Sequence, residues 1–419
     1  MRFLHCSDVH LDSPLKGLDR YVGAPVDEVR GATRRAFENM VQLALRERVD
    51  FVVIAGDLYD GDWPDFNTGL FFARGMAQLG ESGIAAYVLR GNHDAASKLT
   101  RSLPLPRNVH LLPDREPGTL IDENLGLAVH GQSFATAAVF DDLAAQYPLA
   151  VPGYFNLGVL HTSLTGRAGH HSYAPATEGV LRTKGYDYWA LGHVHAREIV
   201  SREPWIVYPG NIQGRHIREQ GPKGCELVTV SDGCISIESA ALDVLRWSVL
   251  TLDIAGLPDL DALFDQAGRI IRAEVDRADT RFLGARIRIL GAGPLHTALC
   301  SRPEAVMENL RAVAIEASGG TAWLEKVEVQ ARPVVDLGRL AQGDDPIALL
   351  LREIRGHAQD EGRLKALADE ALRELRSKLP PDLEDDGPLR LDTAETLCDL
   401  LGEAESELLA RLVGQGGQL

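Results

Sequence analysis

Five short motifs gather the residue types that bind hard and borderline metal ions. They are S-D-V-H-L-D from Ser7 to Asp12, A-G-D-L-Y-D from Ala55 to Asp60 and R-G-N-H-D from Arg90 to Asp94, then L-H-T-S from Leu160 to Ser163 and L-G-H-V-H-A-R from Leu191 to Arg197. Aspartate, asparagine and histidine offer hard oxygen together with imidazole nitrogen, a donor set suited to Mn²⁺, Fe²⁺ or Zn²⁺ more than to Ca²⁺. No cysteine joins the set, so a structural zinc knot is not expected. Asp8 and His10 are spaced i, i+2, and so are His193 and His195. In a strand that spacing puts both side chains on one face. Asp8, His10, Asp57, Asn92, His161, His193 and His195 are too many ligands for one ion, but they suit two octahedral ions that share a carboxylate and a water. Asp57, directly after Gly56, is the natural bridge. Two ions ~3.5–4 Å apart activate a water and stabilise both oxygens of an in-line phosphoryl displacement.

Each motif alone has an ordinary explanation. A D-x-H at a strand end is usually a cap or turn, G-D and G-N-H-D are common turn sequences, and an isolated histidine is more often a satisfied core residue than a ligand. Joint occurrence decides: five motifs with compatible donors follow five apolar runs in order.

Those runs read as strands. Phe3–Cys6, Phe51–Ala55, Ala86–Leu89, Leu127–His130, Leu157–Leu160, Tyr188–Leu191 and Trp205–Tyr208 are short and continuously apolar. Helical spacing over Gly31–Val49 and Thr68–Gly80 separates the first three. Strands alternating with helices predict a layered α/β sheet, whose ligands lie at strand carboxyl ends. Beyond residue 240, Arg246–Ile254, Arg281–Leu290 and Leu324–Gln330 read as strands around helices at Asp259–Arg277 and Pro303–Ala317. From Pro333 the pattern is helical, with amphipathic stretches over Asp345–Lys378 and Asp392–Leu412 broken by Pro380-Pro381 and an acidic segment.

The 419-residue chain carries a formal charge of -17. That argues against a broad electrostatic grip on a polyanion, though not against a local basic groove or a site whose ions supply the positive charge. Nearly half of the excess lies in residues 331–419. No apolar run reaches the ~20 residues of a bilayer span. The first ten residues are not those of a signal peptide, and five dispersed cysteines without CxxC pairing fit a reducing cytoplasm.

Taken together, D-x-H, G-D-x-x-D, G-N-H-D, a lone His after a strand and G-H-x-H resemble the calcineurin-like metallophosphoesterases. The opening H-C-S-D-V-H-L-D-S-P-L and Y-P-G-N-I-Q-G-R-H at Tyr208–His216 are similar to the SbcD-like DNA repair nucleases, and most of all to YhaO-type DNA repair exonucleases. The phosphoesterase motifs cover about the first 220 residues. Past residue 240 the likeness rests on domain order and on G-x-G-P-L-H at Gly291–His296.

The resemblance implies a four-layer α/β/β/α metallophosphoesterase sandwich over 1–240, a small α/β capping domain over 241–332 and a helical C-terminal region over 333–419 for partner docking. It implies one ion on Asp8, His10, Asp57 and His195, and a second on Asp57, Asn92, His161 and His193, most consistent with Mn²⁺. His93 would lie over the scissile phosphate as proton donor or transition-state stabiliser, with Asp94 orienting its ring. Some relatives carry a second catalytic histidine three residues after the bridging Asp. Here Asp60 stands, which cannot be a cationic phosphate contact and is left to orient a ligand or a water.

The activity implied is a DNA exonuclease or phosphodiesterase of DNA repair, with metal-bound hydroxide as nucleophile. The partners implied are DNA, an SbcC-like or YhaN-like coiled-coil ATPase and a second copy of the chain. A small-substrate metallophosphoesterase and a non-enzymatic subunit that positions DNA or an ATPase are the alternatives. The cap and Y-P-G-N-I-Q-G-R-H favour the nuclease, the net charge favours the small substrate, and the complete ligand set argues against the non-enzyme. Arg90, Arg197, Arg215, His216 and Arg218 are further candidate phosphate contacts, weighed against ion pairs with Glu198 and Glu219. In the cap, Arg281, Arg286 and Arg288 are candidates for the groove. His170-His171 lies in a Gly-rich segment expected to cover the site, while His5, His130, Trp189, Trp205 and Trp247 read as core.

Overall fold

The computed structural model describes residues 1–13, 29, 31–60, 66–96, 104–164, 174–332, 346–373 and 393–415. The Gly-rich segment with His170-His171 and the acidic break after Pro380 lie outside them.

Twelve strands form two six-stranded sheets. The first has the order β12-β11-β1-β2-β3-β4, from β1 (Arg2–Cys6), β2 (Phe51–Ala55), β3 (Ala85–Leu89), β4 (Val109–Leu111), β11 (Gly224–Ser231) and β12 (Cys234–Ala241). The second has the order β5-β6-β7-β8-β10-β9, from β5 (Gly118–Asp122), β6 (Leu127–Gly131), β7 (Phe155–His161), β8 (Tyr188–Gly192), β9 (Glu198–Arg202) and β10 (Trp205–Tyr208). The central strands β1-β2-β3 and β6-β7-β8 pair in parallel. Parallel strands are buried on both faces, which is why they read as unbroken apolar runs rather than as alternation.

Period-2 geometry sends alternate residues into different layers. Phe3, Phe51, Val53, Tyr87 and Leu89 of the first sheet meet Leu127, Val129, Leu157, Val159, Tyr188 and Val207 of the second in one core. Leu4, Cys6, Val52 and Ile54 point the other way, onto α1 (Ala32–Glu47) and α2 (Asn67–Glu81). On α1 the contact stripe is Ala36, Phe37, Met40, Val41, Leu43 and Ala44, a helical i, i+3/i+4 set. The helix ends at Arg48, whose left-handed backbone turns its N–H back to Ala44 and Leu45. On the outer face of the second sheet, Leu160, Trp189, Leu191, Ile206 and Tyr208 pack with Phe134, Leu143, Tyr147 and Leu181. The result is the four-layer α/β/β/α sandwich.

A three-stranded sheet, in the order β13-β14-β15, follows from β13 (Leu245–Asp253), β14 (Phe282–Leu290) and β15 (Ala322–Val329). By contact density the chain divides into two compact units. One comprises Met1–Val249, Ala273–Ala285 and Thr321–Glu325; the other comprises Leu250–Arg272, Arg286–Gly320 and Lys326–Leu419. In the second unit the stretch expected as one amphipathic helix over Asp345–Lys378 is two, α3 (Pro346–Gln359) and α4 (Glu361–Ala371). Asp360 breaks it, with an extended backbone and a carboxylate that accepts the N–H groups of Gly362 and Arg363 as an N-cap. Arg286 and Arg288 of this unit both pair with Glu328. Among the described residues no helix is long and apolar enough to cross a membrane.

Candidate metal centre

The carboxyl ends of β1, β2, β3, β7 and β8 deliver the five motifs to one place. The chain leaving β1 runs beside the chain leaving β2: Asp8 N–H donates to Gly56 O at 3.0 Å, His10 N–H to Asp57 O at 3.0 Å and Leu11 N–H to Leu58 O at 2.9 Å. Asp8, His10, Asp57 and His193 all have positive φ, at 50°, 44°, 51° and 94°. Non-glycine residues held there are strained, and strain of this kind concentrates at functional sites.

Close approach needs missing side chains. A Cβ on Gly91 would stand 2.2 Å from Asp57 Oδ1, and one on Gly56 would stand 2.3 Å from His161 Nδ1. On Gly192 it would meet Ala55 O at 1.9 Å. These glycines let three strand ends close on one point.

The seven predicted ligands come together. Donor atoms of Asp8, His10 and His195 lie within 4.8 Å of one another, and so do those of Asp8, Asp57 and His161. Asp57 is central: its Oδ2 is 3.4 Å from His161 Nε2 and 3.8 Å from His10 Nε2. Asn92 Oδ1 is 3.0 Å from His161 Nε2, and the His193 ring lies 5.2 Å from that of His161.

The tautomer of His161 follows from its partner. Nδ1 faces Ala55 O at 3.0 Å, and a carbonyl only accepts, so Nδ1 carries a proton and Nε2 of the neutral ring carries a lone pair. That lone pair faces Asn92 Oδ1 and Asp57 Oδ2. Likewise His10 Nε2 and His195 Nε2 face each other at 3.2 Å, with Asp8 Oδ1 at 3.6 Å from the latter. So many acceptors converging require cations or extra protons between them. Burial alone would lower the pKa of His161, but Asp57 and Asp8 lift it to about 9. Burial pushes the Asp57 carboxyl up, and His161, His10 and His93 more than reverse this to hold it well below the usual range. The chemistry of the donor set, carboxylate and amide oxygen with imidazole nitrogen and no sulfur, fits divalent cations.

Around the ligands a second ring of groups sets ring orientation. His195 Nδ1 meets Glu219 Oε1 at 2.7 Å. Glu219 also accepts from Asn211 Nδ2 at 3.0 Å and from Arg215 N–H at 2.7 Å. Burial raises its pKa, but His195 and Arg215 hold it well below the usual range. Such partners fix the imidazole that binds the ion. Ser7 Oγ donates to Asp8 Oδ2 at 2.6 Å.

His93 does not meet Asp94. Its Nδ1 lies 2.8 Å from Asp60 Oδ1, and its pKa is raised chiefly by that bond. Asp60 also accepts from Ser13 Oγ at 2.5 Å. The expectation that Asp94 orients His93 is therefore corrected. Asp94 is 1% exposed and accepts the N–H groups of Leu58, Tyr59 and Gly91 at 3.1, 2.8 and 3.0 Å. It staples the loop after β2 to the loop after β3. Burial beside Asp57 pushes its carboxyl up to about 7. Position alone misled: adjacent residues at the start of a helical turn point in different directions.

Most of the extra arginines are committed elsewhere. Arg90 pairs with Asp114 at 2.6 Å, and Arg197 grips the buried Glu226 at 2.5 and 3.0 Å. Arg281 pairs with Asp243 at 2.9 Å. Arg215 faces Asp60 and Glu219, while His216 and Arg218 are exposed. His5, His130, Trp189 and Trp247 are buried, and Trp205 is half-buried. Glu219 and Asn211 were not expected at the site. Asn211 lies in the Y-P-G-N-I-Q-G-R-H segment at the end of β10, whereas Glu219 stands three residues beyond it with no motif to mark it.

Comparison with known proteins gives two family matches. Residues 1–197 match the calcineurin-like phosphoesterase family, and residues 247–332 match the middle domain of the metallophosphoesterase YhaO. The uncharacterized metallophosphoesterase YhaO of Bacillus subtilis (strain 168) is 37% identical over 268 residues, 63% of this chain and 66% of that protein, just under two thirds of its length. The DNA double-strand break repair protein Mre11 of Methanopyrus kandleri is 25% identical over 414 residues, 92% of this chain and 85% of that one. A component of the nuclease SbcCD from Escherichia coli (strain K12) is 26% identical over 299 residues, covering 61% and 72%.

Proposed function

Because this chain carries a calcineurin-like metallophosphoesterase domain, with a YhaO-type middle domain after it, we propose that it is a two-metal phosphodiesterase acting on DNA, an exonuclease of DNA repair. The observation that carries the reading is the convergence of metal-ligating atoms from five strand ends: His10 Nε2 on His195 Nε2, and His161 Nε2 on Asn92 Oδ1 and Asp57 Oδ2. Asp8, His10, Asp57 and His195 would hold one divalent ion, and Asp57, Asn92, His161 and His193 the other, with Mn²⁺ the best match to the donors. Such a pair supplies an activated water and charge neutralisation at the phosphoryl oxygens.

The chain's own groups do the rest. Asp57 is the residue that would be shared between the ions, because its Oδ2 faces the ligand histidines His161 and His10 and its Oδ1 accepts the His93 N–H. His93, its side chain 42% exposed beside the buried ligands, offers Nε2 to the substrate while Asp60 holds Nδ1. It is placed to protonate the leaving oxygen or to stabilise charge on the phosphoryl group. Glu219 keeps His195 Nδ1 occupied, which would leave Nε2 to a bound ion.

DNA as substrate, a coiled-coil ATPase as partner, a homodimer and a cytoplasmic location belong to the same proposal, supported by the likeness to the SbcCD nuclease component and the break-repair relatives. So do the boundaries: a nuclease domain to residue 240, a capping domain over 241–332 and a docking region over 333–419. The charge of -17 favours the second reading, a phosphoesterase for small substrates. One assay separates the two. Purified protein with Mn²⁺ is given linear DNA and bis-p-nitrophenyl phosphate in parallel. Release of nucleotides from DNA ends is expected; turnover of the dye ester without any DNA cleavage would overturn the DNA reading.

A further inference from the structure

The geometry points to Arg215 as a positioning residue that sets two histidines of the site together. His93 follows β3 of the first sheet, and His195 follows β8 of the second. Each ring ends on a carboxylate through Nδ1: His93 on Asp60 at 2.8 Å and His195 on Glu219 at 2.7 Å. Arg215 lies between the two carboxylates. Its Nη1 is 3.5 Å from Asp60 Oδ2, and its Nη2 is 3.4 Å from both Glu219 Oε1 and His195 Nδ1. Its backbone N–H donates to the other oxygen of Glu219 at 2.7 Å. The side chain is only 15% exposed.

Three features separate this arrangement from an ordinary ion pair. The two carboxylates lie on separate loops, Asp60 after β2 of the first sheet and Glu219 between β10 of the second and β11 of the first. Each carboxylate serves a histidine and the arginine at once: Asp60 gives Oδ1 to His93 and Oδ2 to Arg215, whereas Glu219 Oε1 alone takes both His195 and the Arg215 guanidinium. And the contacts at 3.4–3.5 Å are all similar and long, so the guanidinium works through its flat, forked charge on two anions rather than through one strong bond. A lysine, a point charge on a flexible stem, cannot span both.

A cation beside His195 and close to the ions' side of His93 is tolerable only if carboxylates neutralise it, and here Asp60 and Glu219 do. The same commitment leaves little of the guanidinium for a substrate phosphate. Arg215 instead fixes the spacing between Asp60 and Glu219, hence between the ring over the substrate and a ring on the ions.

The inference rests on the two-metal phosphodiesterase reading, so wild-type hydrolysis of bis-p-nitrophenyl phosphate with Mn²⁺ is measured first; its absence would count against that reading rather than against Arg215. Given wild-type turnover, Arg215→Met and Arg215→Lys are each expected to lower kcat ~10-fold with KM within about twofold, and to weaken one of two Mn²⁺ ions in a titration of metal-free protein. The double variants Asp60→Asn/Arg215→Met and Glu219→Gln/Arg215→Met should each lose no more than about threefold beyond the worse single change, because the groups act as one unit. If Arg215→Met does not fold, the Asp60→Asn and Glu219→Gln cycle tests the same linkage, as non-additive losses through the shared arginine. Full activity in Arg215→Lys, strictly multiplicative losses, or a raised KM for DNA at unchanged kcat, the mark of a phosphate contact, would each overturn the inference.

Discussion

His93 and Asp60 form a pair in which Nδ1 lies 2.8 Å from Oδ1, while the chain neighbour Asp94 turns its carboxylate into backbone N–H groups. The pairing leaves Nε2 of His93 as the atom offered to a substrate. Asp60→Asn keeps the size and one acceptor oxygen but removes the charge. We expect kcat toward bis-p-nitrophenyl phosphate to fall ~10–100-fold with both ions retained. Loss of a bound ion in that variant would instead make Asp60 a ligand, which its grouping with His10 and His93 within 4.8 Å permits geometrically.

His93→Ala removes a side chain that is 42% exposed and that touches the ligand set only through an edge-on ring contact with His10, centroids 5.0 Å apart. Hydrolysis should drop ~10²–10⁴-fold, as for loss of a general acid or a transition-state donor. Two Mn²⁺ per chain should still bind. Metal analysis of the purified variant checks this, and a missing ion would contradict the role given to His93.

Asp94→Ala tests the opposite kind of carboxylate. Three buried N–H groups would lose their acceptors at ~1–3 kcal/mol each, a total on the order of 3–9 kcal/mol. That is a large share of the stability of any domain. Thermal unfolding with metal chelated should show a large fall for Asp94→Ala and less than ~1 kcal/mol for the partly exposed Asp60→Asn. Equal losses would mean that the two carboxylates do not divide into a staple and a partner for His93.

How far the sequence reveals this follows from which physical signals are local. Buried parallel strands announce themselves as apolar runs, so Phe51–Ala55 and Tyr188–Leu191 are read directly, and the ligands at their ends with them. The hairpin of β11 and β12 is less legible, because β12 alternates exposed and half-buried residues and carries no apolar run. Which carboxylate serves which histidine is not local at all. Asp60 and His93 are 33 positions apart, and Glu219 and His195 are 24 apart. Parallel pairing within each sheet, β2 beside β3 and β8 beside β10, brings them together, so chain adjacency favoured Asp94, and Glu219 looked like a surface partner for Arg215 or His216.

Gly91→Ala asks whether close approach at the bridge is obligatory. The added carbon would stand 2.2 Å from Asp57 Oδ1 and 2.7 Å from Asp57 N. Backbone cannot yield cheaply there, so Asp57 must swing away. Mn²⁺ affinity should fall by more than ~10-fold, in line with loss of a support around a metal ligand. A titration showing two ions bound as tightly as in the wild type would show that Asp57 is not the bridge.

His5 gives a pH dependence that belongs to the fold rather than to the ions. It sits on β1 at 0% exposure, with Nε2 3.2 Å from Leu191 O and Nδ1 3.0 Å from Tyr188 OH. The carbonyl only accepts, so Nε2 carries the proton, and Nδ1 accepts from the tyrosine. Burial drives its pKa down to about 3 from the ordinary 6.5, against the opposing pull of the Leu191 carbonyl and Asp8. The folded value lies below the unfolded one, so the folded state favours the neutral ring. Stability from this group is full above about pH 6.5 and is lost as pH falls toward 3, because the unfolded chain takes up a proton that the folded chain refuses. At 1.36 kcal/mol per unit, the wild type should lose about 1 kcal/mol more than His5→Gln between pH 6 and pH 5. Glutamine keeps a donor for Leu191 and does not titrate, and the carboxylates and ligand histidines cancel in the difference. Urea unfolding of both proteins at the two pH values, with metal chelated, measures it; parallel losses would mean that His5 is protonated in the folded chain.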